Sequence, residues 1–294
     1  LLGGLTVGAS KGIIYLRHEY EAAREALELE LAYARDAGWL GEDIQGSGFD
    51  FDIEIFVSPG GYILGEETAL LEALEDRRGE PRNKPPFPGQ RGLFGQPTLI
   101  NNVETFAWTV CITARGADWW KDQGVNGCVG LKAIAVSGHV EHPGVYEIPM
   151  GTPVSELIEL AGGVSEGREL KAFAPGGASS HFLPAEFAGT PMDFKALDDA
   201  GSMLGSGALV VVAEGTPMLP VAANVVRFFR NESCGKCVPC RDGSQKAVQL
   251  LEHALENGAP LGWETIEALE ALLVETSICG LGYVVLNPLI SAAR

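Results

Sequence analysis

The sequence predicts a mixed fold, with an α/β opening region, a small α+β module in the middle and a helical C-terminal region. Three observations predict it. Residues 13–57 hold an apolar run, an amphipathic stretch and an alternating run, residues 131–213 hold several short β-rich runs, and the chain after residue 220 repeats apolar side chains at helical spacing. The 294-residue length suffices for two or three domains.

The opening region is predicted to be a strand–helix–strand unit. Ile-Ile-Tyr-Leu at 13–16 is typical of a short buried strand. The stretch from Glu19 to Ala37 is rich in Glu, Ala and Leu, which predicts a helix that Gly38 ends. The alternating run from Phe51 to Val57 predicts a second strand. This order favours a right-handed crossover unit, and therefore an α/β domain.

Residues 60–98 contain two candidate functional segments. Gly-Gly-Tyr-Ile-Leu-Gly-Glu-Glu-Thr-Ala-Leu (60–70) is a glycine-rich turn that leads into a helix with two carboxylates in its first turn. The plain alternative is that these glutamates only stabilise the helix N-terminus through its dipole. Residues 79–98 are dense in Gly and Pro, which predicts an ordered, extended loop in place of a helix. A long loop inside a compact domain often carries function.

The middle of the chain is predicted to be an α+β module, because short strands surround one helix. That helix is predicted over Val154–Leu160, with Thr152 as its cap and Gly162 and Gly163 at its end. The strands are predicted at Lys132–Val136, Gly144–Ile148, around Phe173 and at Ala208–Val212. Three helices then follow, at Val221–Arg230, Ser244–Glu256 and Glu264–Thr276, and together they predict a small bundle.

Composition excludes several classes of protein. The net charge of −18 and the pI of about 4.6 argue against a nucleic-acid binder and against an anionic-membrane binder, since both favour basic surfaces. No apolar run reaches the roughly 18 residues of a membrane span, so no direct membrane insertion is expected. A signal peptide is not recognisable, and six cysteines in a chain this long do not predict a disulfide scaffold.

Four of the six cysteines form a metal-ligating pattern. Cys234, Cys237 and Cys240 have a CxxCxxC spacing, and Cys279 can supply a fourth thiol from a distant loop. This pattern favours a 4Fe-4S cluster. Zinc is the alternative, although zinc sites more often pair two CxxC knuckles, and a pattern without any metal is the third reading. Cys111 and Cys128 are isolated and are expected to be ordinary thiols.

The local sequence of the cysteine run predicts its backbone. A regular helix has 3.6 residues per turn, so cysteines spaced three residues apart would point in successively different directions. The run therefore cannot lie on one regular helix. Gly235 and Pro239 favour a wrapping loop whose backbone N–H groups can hydrogen-bond to sulfur. Lys236 and Arg241 offset the charge of an anionic cluster in one interpretation, and are ordinary solvated charges in the other.

Taken together, the motifs resemble one family. Six motifs follow one another along the chain: Gly-Tyr-Ile-Leu-Gly-Glu-Glu-Thr-Ala-Leu (61–70), Lys-Pro-Pro-Phe-Pro (84–88), Asn-Asn-Val-Glu-Thr (101–105), Ser-Gly-His-Val (137–140), Pro-Gly-Gly (175–177) and Glu-Ser-Cys-Gly-Lys-Cys-Val-Pro-Cys-Arg (232–241). The chain resembles the NADH-oxidising flavoprotein subunit of respiratory complex I. It is similar also to the matching subunits of NAD-dependent formate dehydrogenases and NAD-reducing hydrogenases.

The resemblance implies three domains and three cofactors. Residues 1–125 would form the later part of a Rossmann-like domain for FMN and NADH. Residues 130–215 would form a ubiquitin-like β-grasp domain of the soluble-ligand-binding type, and residues 218–294 a helical domain that binds the 4Fe-4S cluster. Hydride would pass from NADH to FMN, and single electrons would then leave through the cluster. No side-chain acid or base is needed for the hydride step, so no catalytic residue is expected.

By motif match, the resemblance also implies site residues. Those of the flavin and nicotinamide pocket would be Tyr62, Gly65, Glu66 and Glu67. Asn101, Asn102 and Thr105 would contact FMN, and Phe87 would stack on the adenine of NADH with Lys84 nearby. The cluster ligands would be Cys234, Cys237, Cys240 and Cys279. Alternatives remain, because Phe87 is also compatible with core packing, and the two asparagines with a turn.

Partners and location follow from the same resemblance. It implies a thioredoxin-like 2Fe-2S subunit and a larger iron–sulfur subunit as partners. It also implies a cytoplasmic position, peripheral to the membrane through those subunits in complex I. The motifs do not separate complex I from formate dehydrogenase or hydrogenase modules.

One departure from the family pattern bears on function. The family's flavin domain opens with Gly-Arg-Gly-Gly-Ala-Gly-Phe-Pro, followed by Asn-Ala-Asp-Glu, and neither segment occurs in this chain. We therefore expect an N-terminally truncated sequence that binds FMN weakly by itself. This departure favours a second hypothesis, a non-catalytic iron–sulfur interaction module. Retention of the glutamates, Phe87 and the two asparagines argues against it, and a zinc-binding scaffold is the third hypothesis.

Overall fold

The structure is a computed structural model that describes residues 1–292. The chain divides into two compact units, Leu1–Asn102 and Val103–Arg294. The three domain boundaries that the sequence suggests remain a prediction. Within residues 1–292, no helix combines the length and the apolar character that crossing a membrane requires.

The first unit is built on two parallel strands. Its elements are α1 (Leu2–Val7), β1 (Lys11–Leu16), α2 (Glu21–Asp36), β2 (Asp52–Val57), α3 (Glu67–Leu74) and α4 (Pro88–Arg91). The register pairs Lys11 with Asp52 and Leu16 with Val57, which confirms the predicted strand–helix–strand unit. Arg35, in the last turn of α2, donates from Nε to Asp52 Oδ1 at 2.9 Å and so ties the helix to the second strand.

The Gly/Pro-rich segment 79–98 is mostly irregular, as predicted. It contains two short helical turns, α4 and the 3-10 turn Leu93–Gly95, which no pattern in the sequence indicated. Pro88 lies at the start of α4, where its missing N–H and fixed φ are compatible with a helix. The segment therefore has an ordered backbone that can hold side chains in place.

The second unit contains a five-stranded sheet. Its first elements are α5 (Val103–Arg115), α6 (Ala117–Lys121), β3 (Leu131–Gly138), β4 (Gly144–Pro149), α7 (Val154–Leu160), β5 (Leu170–Ala174), β6 (Leu183–Pro184), α8 (Phe194–Asp199) and β7 (Ala208–Ala213). The strand order is β4-β3-β7-β5-β6, with the central pair β3–β7 parallel and the other pairs antiparallel. Ile134, Leu157, Phe173 and Leu209 are fully buried in its core. The predicted α+β module is confirmed.

Thr152 does not cap α7, and that prediction is wrong. The N-cap residue is Pro153, without a side-chain cap hydrogen bond. The hydroxyl of Thr152 instead donates to the carbonyl oxygen of Pro149 at 2.8 Å. This bond closes the turn after β4, so the hydroxyl stabilises the turn that precedes the helix.

The remainder of the second unit is helical. It comprises α9 (Met218–Glu232), α10 (Ser244–Asn257), α11 (Trp263–Thr276), α12 (Gly280–Val284) and α13 (Asn287–Ala292). The three predicted helices are confirmed, and α12 and α13 are additional. Asn287 Nδ2 donates to the carbonyl oxygen of Ser179 at 2.9 Å, and Ser291 Oγ accepts from the backbone N–H of Phe182 at 2.8 Å. These bonds fix α13 to the segment beside the sheet.

Candidate functional site

The four candidate cysteine ligands lie at the ends of helices in the second unit. Cys234 and Cys237 follow the end of α9 at Glu232, and Cys240 lies in a single π-helical turn, Pro239–Gly243, that leads into α10. Cys279 is the N-cap residue of α12. The cysteine run is thus not on a regular α-helix, as predicted. Single π-turns are frequent at functional sites.

The environment of Cys240 and Cys279 disfavours uncompensated thiolates. The pKa of Cys240 is raised to about 11, mainly by burial and further by the neighbouring Cys237, Cys279 and Cys234, while a hydrogen bond with Ser233 opposes the shift. Burial also raises the pKa of Cys279, and the backbone N–H groups of Leu281 and Gly282 oppose the effect. Thiols that raise one another's pKa need a positive charge between them before they can ionise together.

The donor set consists of four cysteine thiols. Among residues 1–292, no group of three or more His, Cys, Asp or Glu side chains converges to hold one metal ion. A tetrahedral zinc site requires four ligands around one point. In a 4Fe-4S cluster each thiolate binds a different iron.

The backbone around the run is held by short-range contacts. Gly235 has a φ of 76°, which favours glycine at this position. Arg241 donates from Nη1 to the carbonyl oxygen of Gly235 at 2.9 Å and from Nε to Asp242 Oδ1 at 3.0 Å. Arg241 therefore closes the loop that carries Cys237. This structural role is compatible with both interpretations of its charge, compensation of an anionic cluster or ordinary solvation.

In the first unit, Glu66 and Glu67 begin α3 with different roles. Glu66 is the N-cap residue, and its Oε2 accepts from the backbone N–H groups of Thr68 at 3.0 Å and of Ala69 at 2.9 Å. The carboxylate of Glu66 therefore caps the helix with Oε2, and its Oε1 faces Lys84. The side chain of Glu67 has no such cap role and is more exposed.

Lys84 bridges both glutamates from the Gly/Pro-rich segment. Its Nζ lies 2.9 Å from Glu66 Oε1 and 2.6 Å from Glu67 Oε1. Burial disfavours ionisation of Glu66, but hydrogen bonds from Thr68, Lys84 and Ala69 outweigh it and lower the pKa. Burial likewise disfavours the charge on Lys84, but the hydrogen bonds to Glu67 and Glu66 leave its pKa raised. Glu66 and Lys84 are therefore charged at neutral pH, and together with Glu67 they form one ionic cluster.

Arg82 ties the same segment to α3, and it was missed from the sequence. It donates from Nη2 to Glu75 Oε1 at 2.9 Å, from Nη1 to the Gly92 carbonyl at 3.0 Å, and from Nε to Glu72. Glu75 Oε1 also accepts from the backbone N–H of Phe94 at 2.7 Å. Glu72 and Glu75 are three residues apart on one helix face, and that spacing was the available signal.

The remaining predicted residues are exposed. Tyr62 opens the 3-10 turn Tyr62–Gly65 and is 43% exposed, and nothing lies within 4 Å of a Cβ built at Gly65. Phe87 is 53% exposed, so it is not a core residue. Asn101 and Asn102 are exposed immediately before α5 and Thr105 is exposed in its first turn, with the boundary between the two units after Asn102.

Comparison with known families assigns each part of the chain. Residues 2–110 match the Nuo51 FMN-binding domain, residues 133–182 match the SLBB domain, and residues 220–294 match the NADH-ubiquinone oxidoreductase-F iron-sulfur binding region. The chain belongs to the family of NADH-quinone oxidoreductase F subunits and their hydrogenase relatives. The family match confirms the predicted recognition, the three fold types and the FMN and 4Fe-4S cofactors.

Individual relatives agree with this membership. NADP-reducing hydrogenase subunit HndC of Solidesulfovibrio fructosivorans is 39% identical over 99% of this chain and 60% of its own length. An NADH-quinone oxidoreductase F subunit of Rhizobium meliloti is 43% identical over 94% of this chain and 66% of its own. The corresponding protein of Escherichia coli is 42% identical over 92% of this chain and 61% of its own. The chain thus spans 60–66% of the length of these three relatives.

A solved structure supports the fold. The crystal structure of an NAD+-reducing [NiFe]-hydrogenase in the H2-reduced state matches with a TM-score of 0.85 and 32% identity. The match covers 99% of this F-family chain and 48% of the hydrogenase chain. The order of the α/β, α+β and helical parts is therefore that of the family.

Proposed function

We propose that this chain is the NADH-oxidising flavoprotein part of a multisubunit oxidoreductase. FMN, when bound, supplies hydride acceptance from NADH, and the 4Fe-4S cluster supplies one-electron transfer. One observation carries the proposal. Four neighbouring thiols lie in the region that matches the iron–sulfur family model, in the same chain whose residues 2–110 match the FMN-binding model.

Each group of residues has a proposed task. Cys234, Cys237, Cys240 and Cys279 would hold the cluster. Tyr62, Gly65, Glu66 and Glu67 would line the flavin and nicotinamide pocket. The residues that would contact FMN are Asn101, Asn102 and Thr105. Glu67 is exposed enough to accept a hydrogen bond from a ribose or amide group, whereas Glu66 uses one oxygen to cap α3. Lys84 orients both carboxylates through its two ion pairs.

Partners and location are proposed from the family resemblance. We propose a thioredoxin-like 2Fe-2S subunit and a larger iron–sulfur subunit as partners, and a cytoplasmic position that is peripheral to the membrane through those subunits if the complex is complex I. An alternative within the same chemistry is the diaphorase subunit of a hydrogenase or a formate dehydrogenase. The hydrogenase relative and the hydrogenase structure favour that alternative as a second candidate. The net charge of −18 agrees with protein partners rather than nucleic acid.

One anaerobic experiment tests the function. The full chain is reconstituted with iron and sulfide, mixed with FMN, desalted and titrated with NADH while the visible spectrum is recorded. Bleaching of flavin and cluster absorbance by NADH supports the proposal. A cluster without retained flavin would match the weak FMN binding expected from the absence of the Gly-Arg-Gly-Gly-Ala-Gly-Phe-Pro segment, and zinc in place of iron would overturn the electron-transfer account.

Phe87 supplies a specific prediction in the same assay. The Phe87→Ala variant is expected to need about tenfold more NADH for half-bleaching, because stacking on a base contributes about 1–3 kcal/mol. Its unfolding free energy should change by less than about 0.5 kcal/mol, since the ring is largely exposed. Phe94→Ala is the matched control, because Phe94 lies on the same segment, is 69% exposed and is outside the predicted site. Equal NADH dependence of the two variants would contradict the assignment.

A further inference from the structure

Two serine hydroxyls lie beside the cysteine loops, and neither has a role in the function proposed above. The first is Ser233, whose Oγ lies 3.2 Å from Cys240 Sγ. The same oxygen accepts a hydrogen bond from the backbone N–H of Gly235 at 3.2 Å. Because a metal-bound thiolate can only accept, the hydroxyl proton of Ser233 points to Cys240 when Cys240 is a ligand.

The second is Ser277, two residues before Cys279. This residue is only 7% exposed, and its hydroxyl oxygen has no hydrogen-bond partner among the described residues. A Cβ built on Gly282 would lie 2.3 Å from Ser277 Oγ and 3.4 Å from Cys240 Cβ. Ser277 and Cys240 therefore lie against the same glycine, three residues after Cys279.

Other buried hydroxyls in this unit are satisfied. Thr152 donates to the Pro149 carbonyl at 2.8 Å, Ser180 to that of Gly177 at 2.9 Å, and Ser202 to that of His181 at 2.7 Å. A buried hydroxyl without a partner costs free energy, so native proteins nearly always provide one. The acceptor for Ser277 is accordingly expected to be a group that the protein chain does not itself supply.

We propose that Ser233 and Ser277 donate hydrogen bonds to sulfur atoms of the bound 4Fe-4S cluster and raise its reduction potential. Ser233 donates to the thiolate of Cys240, and Ser277 donates to a sulfur on the Cys240–Cys279 side. Reduction adds a negative charge to the cluster, so a donor stabilises the reduced form more than the oxidised form. This inference rests on the proposed function, because it requires the cluster.

The test measures the midpoint potential of the cluster in the reconstituted full chain, by redox titration monitored by electron paramagnetic resonance. Ser233→Ala and Ser277→Ala are each expected to lower the one-electron equilibrium constant for reduction about tenfold, a fall of about 59 mV. Thr276→Val is the matched control. Thr276 adjoins Ser277, is exposed, and donates to the Leu272 carbonyl at 2.6 Å, so its removal should leave the potential unchanged.

The outcomes separate the two proposals. The potential is read only from chains that hold a cluster, so incomplete loading of a variant does not obscure it. A potential equal to that of wild type overturns the role of the serine concerned, and an equal fall in Thr276→Val overturns the role of Ser277. If the wild-type chain binds iron and sulfide but both serine variants have its midpoint potential, only this inference is overturned and the proposed function stands. A wild-type chain without any cluster signal overturns both.

Discussion

The Cys279→Ala variant is expected to lose most of its iron and inorganic sulfide after anaerobic reconstitution and desalting. Wild type should retain about four irons per chain, and the variant less than about one. Cys279 contributes its thiol from the N-cap of α12, whereas the other three come from one short run after α9. Without it, one iron of the cluster has no protein ligand. Iron and sulfide analysis, together with the visible absorbance, measures the loss.

Cys111→Ala is the control for this loss. Cys111 lies in α5 of the same compact unit, is partly buried, and is separated in sequence from both cysteine loops. We expect this variant to retain iron at the wild-type level. Full iron content in Cys279→Ala together with loss of iron in Cys111→Ala would show that Cys279 is not the fourth ligand and would contradict the assignment.

Loss of the cluster should also lower the thermal stability of the helical part. The π-helical turn around Cys240 packs against α10, α11 and α12, and a bound cluster would link that turn to α12 through Cys279. Binding free energy that is available only to the folded chain adds to its stability. A reconstituted wild type that unfolds at the same temperature as Cys279→Ala would contradict this link.

The elements that could be predicted from sequence are those whose signal is local and repeated. The strands β1 and β2 and the helices α2, α9, α10 and α11 have clear periodicity, and the four cysteines have a diagnostic spacing. Helix α5 was missed because its sequence, Val-Glu-Thr-Phe-Ala-Trp-Thr-Val-Cys-Ile-Thr-Ala-Arg, is rich in β-branched residues with lower helix propensity. Helix α12 begins Gly-Leu-Gly, and glycine disfavours helix in isolation.

The parts of the site that could not be predicted depend on contacts between distant residues. No sequence motif surrounds Arg82. Its contribution to stability depends on the fold, which brings Glu72, Glu75 and Gly92 within hydrogen-bonding distance. Ser277 resembles any other serine until the fold places it against Gly282. The resemblance to a family supplied Lys84 and Phe87, but it could not supply the ion pairs that hold Lys84 against α3.

The Arg82→Ala variant is expected to lose about 3–4 kcal/mol of unfolding free energy at pH 7, the lower part of the roughly 3–5 kcal/mol range for breaking a buried ion pair. The change leaves Glu75, whose side chain is only 5% exposed, without its main cation, and it removes one of the two donors to the carbonyl of Gly92, which still accepts from the backbone N–H of Gly95 at 3.1 Å. The segment carrying Lys84 and Phe87 would lose its attachment to α3. The variant should therefore also need more NADH than wild type for half-bleaching. Chemical denaturation followed by circular dichroism measures the stability.

Arg77→Ala is the matched control. Arg77 is the same residue type and lies 3.2 Å from Glu75 and 3.8 Å from Glu72, yet its side chain is 64% exposed. Exposed pairs contribute about 0–1 kcal/mol, so this variant should unfold almost as wild type does. Equal losses in both variants would show that total charge, and not the buried contact, determines the stability.

The pH dependence of the Arg82→Ala effect is a second, independent check of the same contact. Burial disfavours ionisation of Glu75, but the hydrogen bonds from Arg82 and from the Phe94 N–H outweigh it and hold its pKa below the ordinary 4.5. A carboxyl with a lowered folded-state pKa adds stability above its unfolded-state pKa, and that stability is lost as pH falls through the folded-state value. The difference between wild type and Arg82→Ala should therefore be full at pH 7 and shrink below about pH 4.5. A difference that stays constant down to about pH 3 would mean that Arg82 stabilises the fold by packing alone, because a contribution from the Glu75 carboxylate must disappear when that carboxylate is protonated.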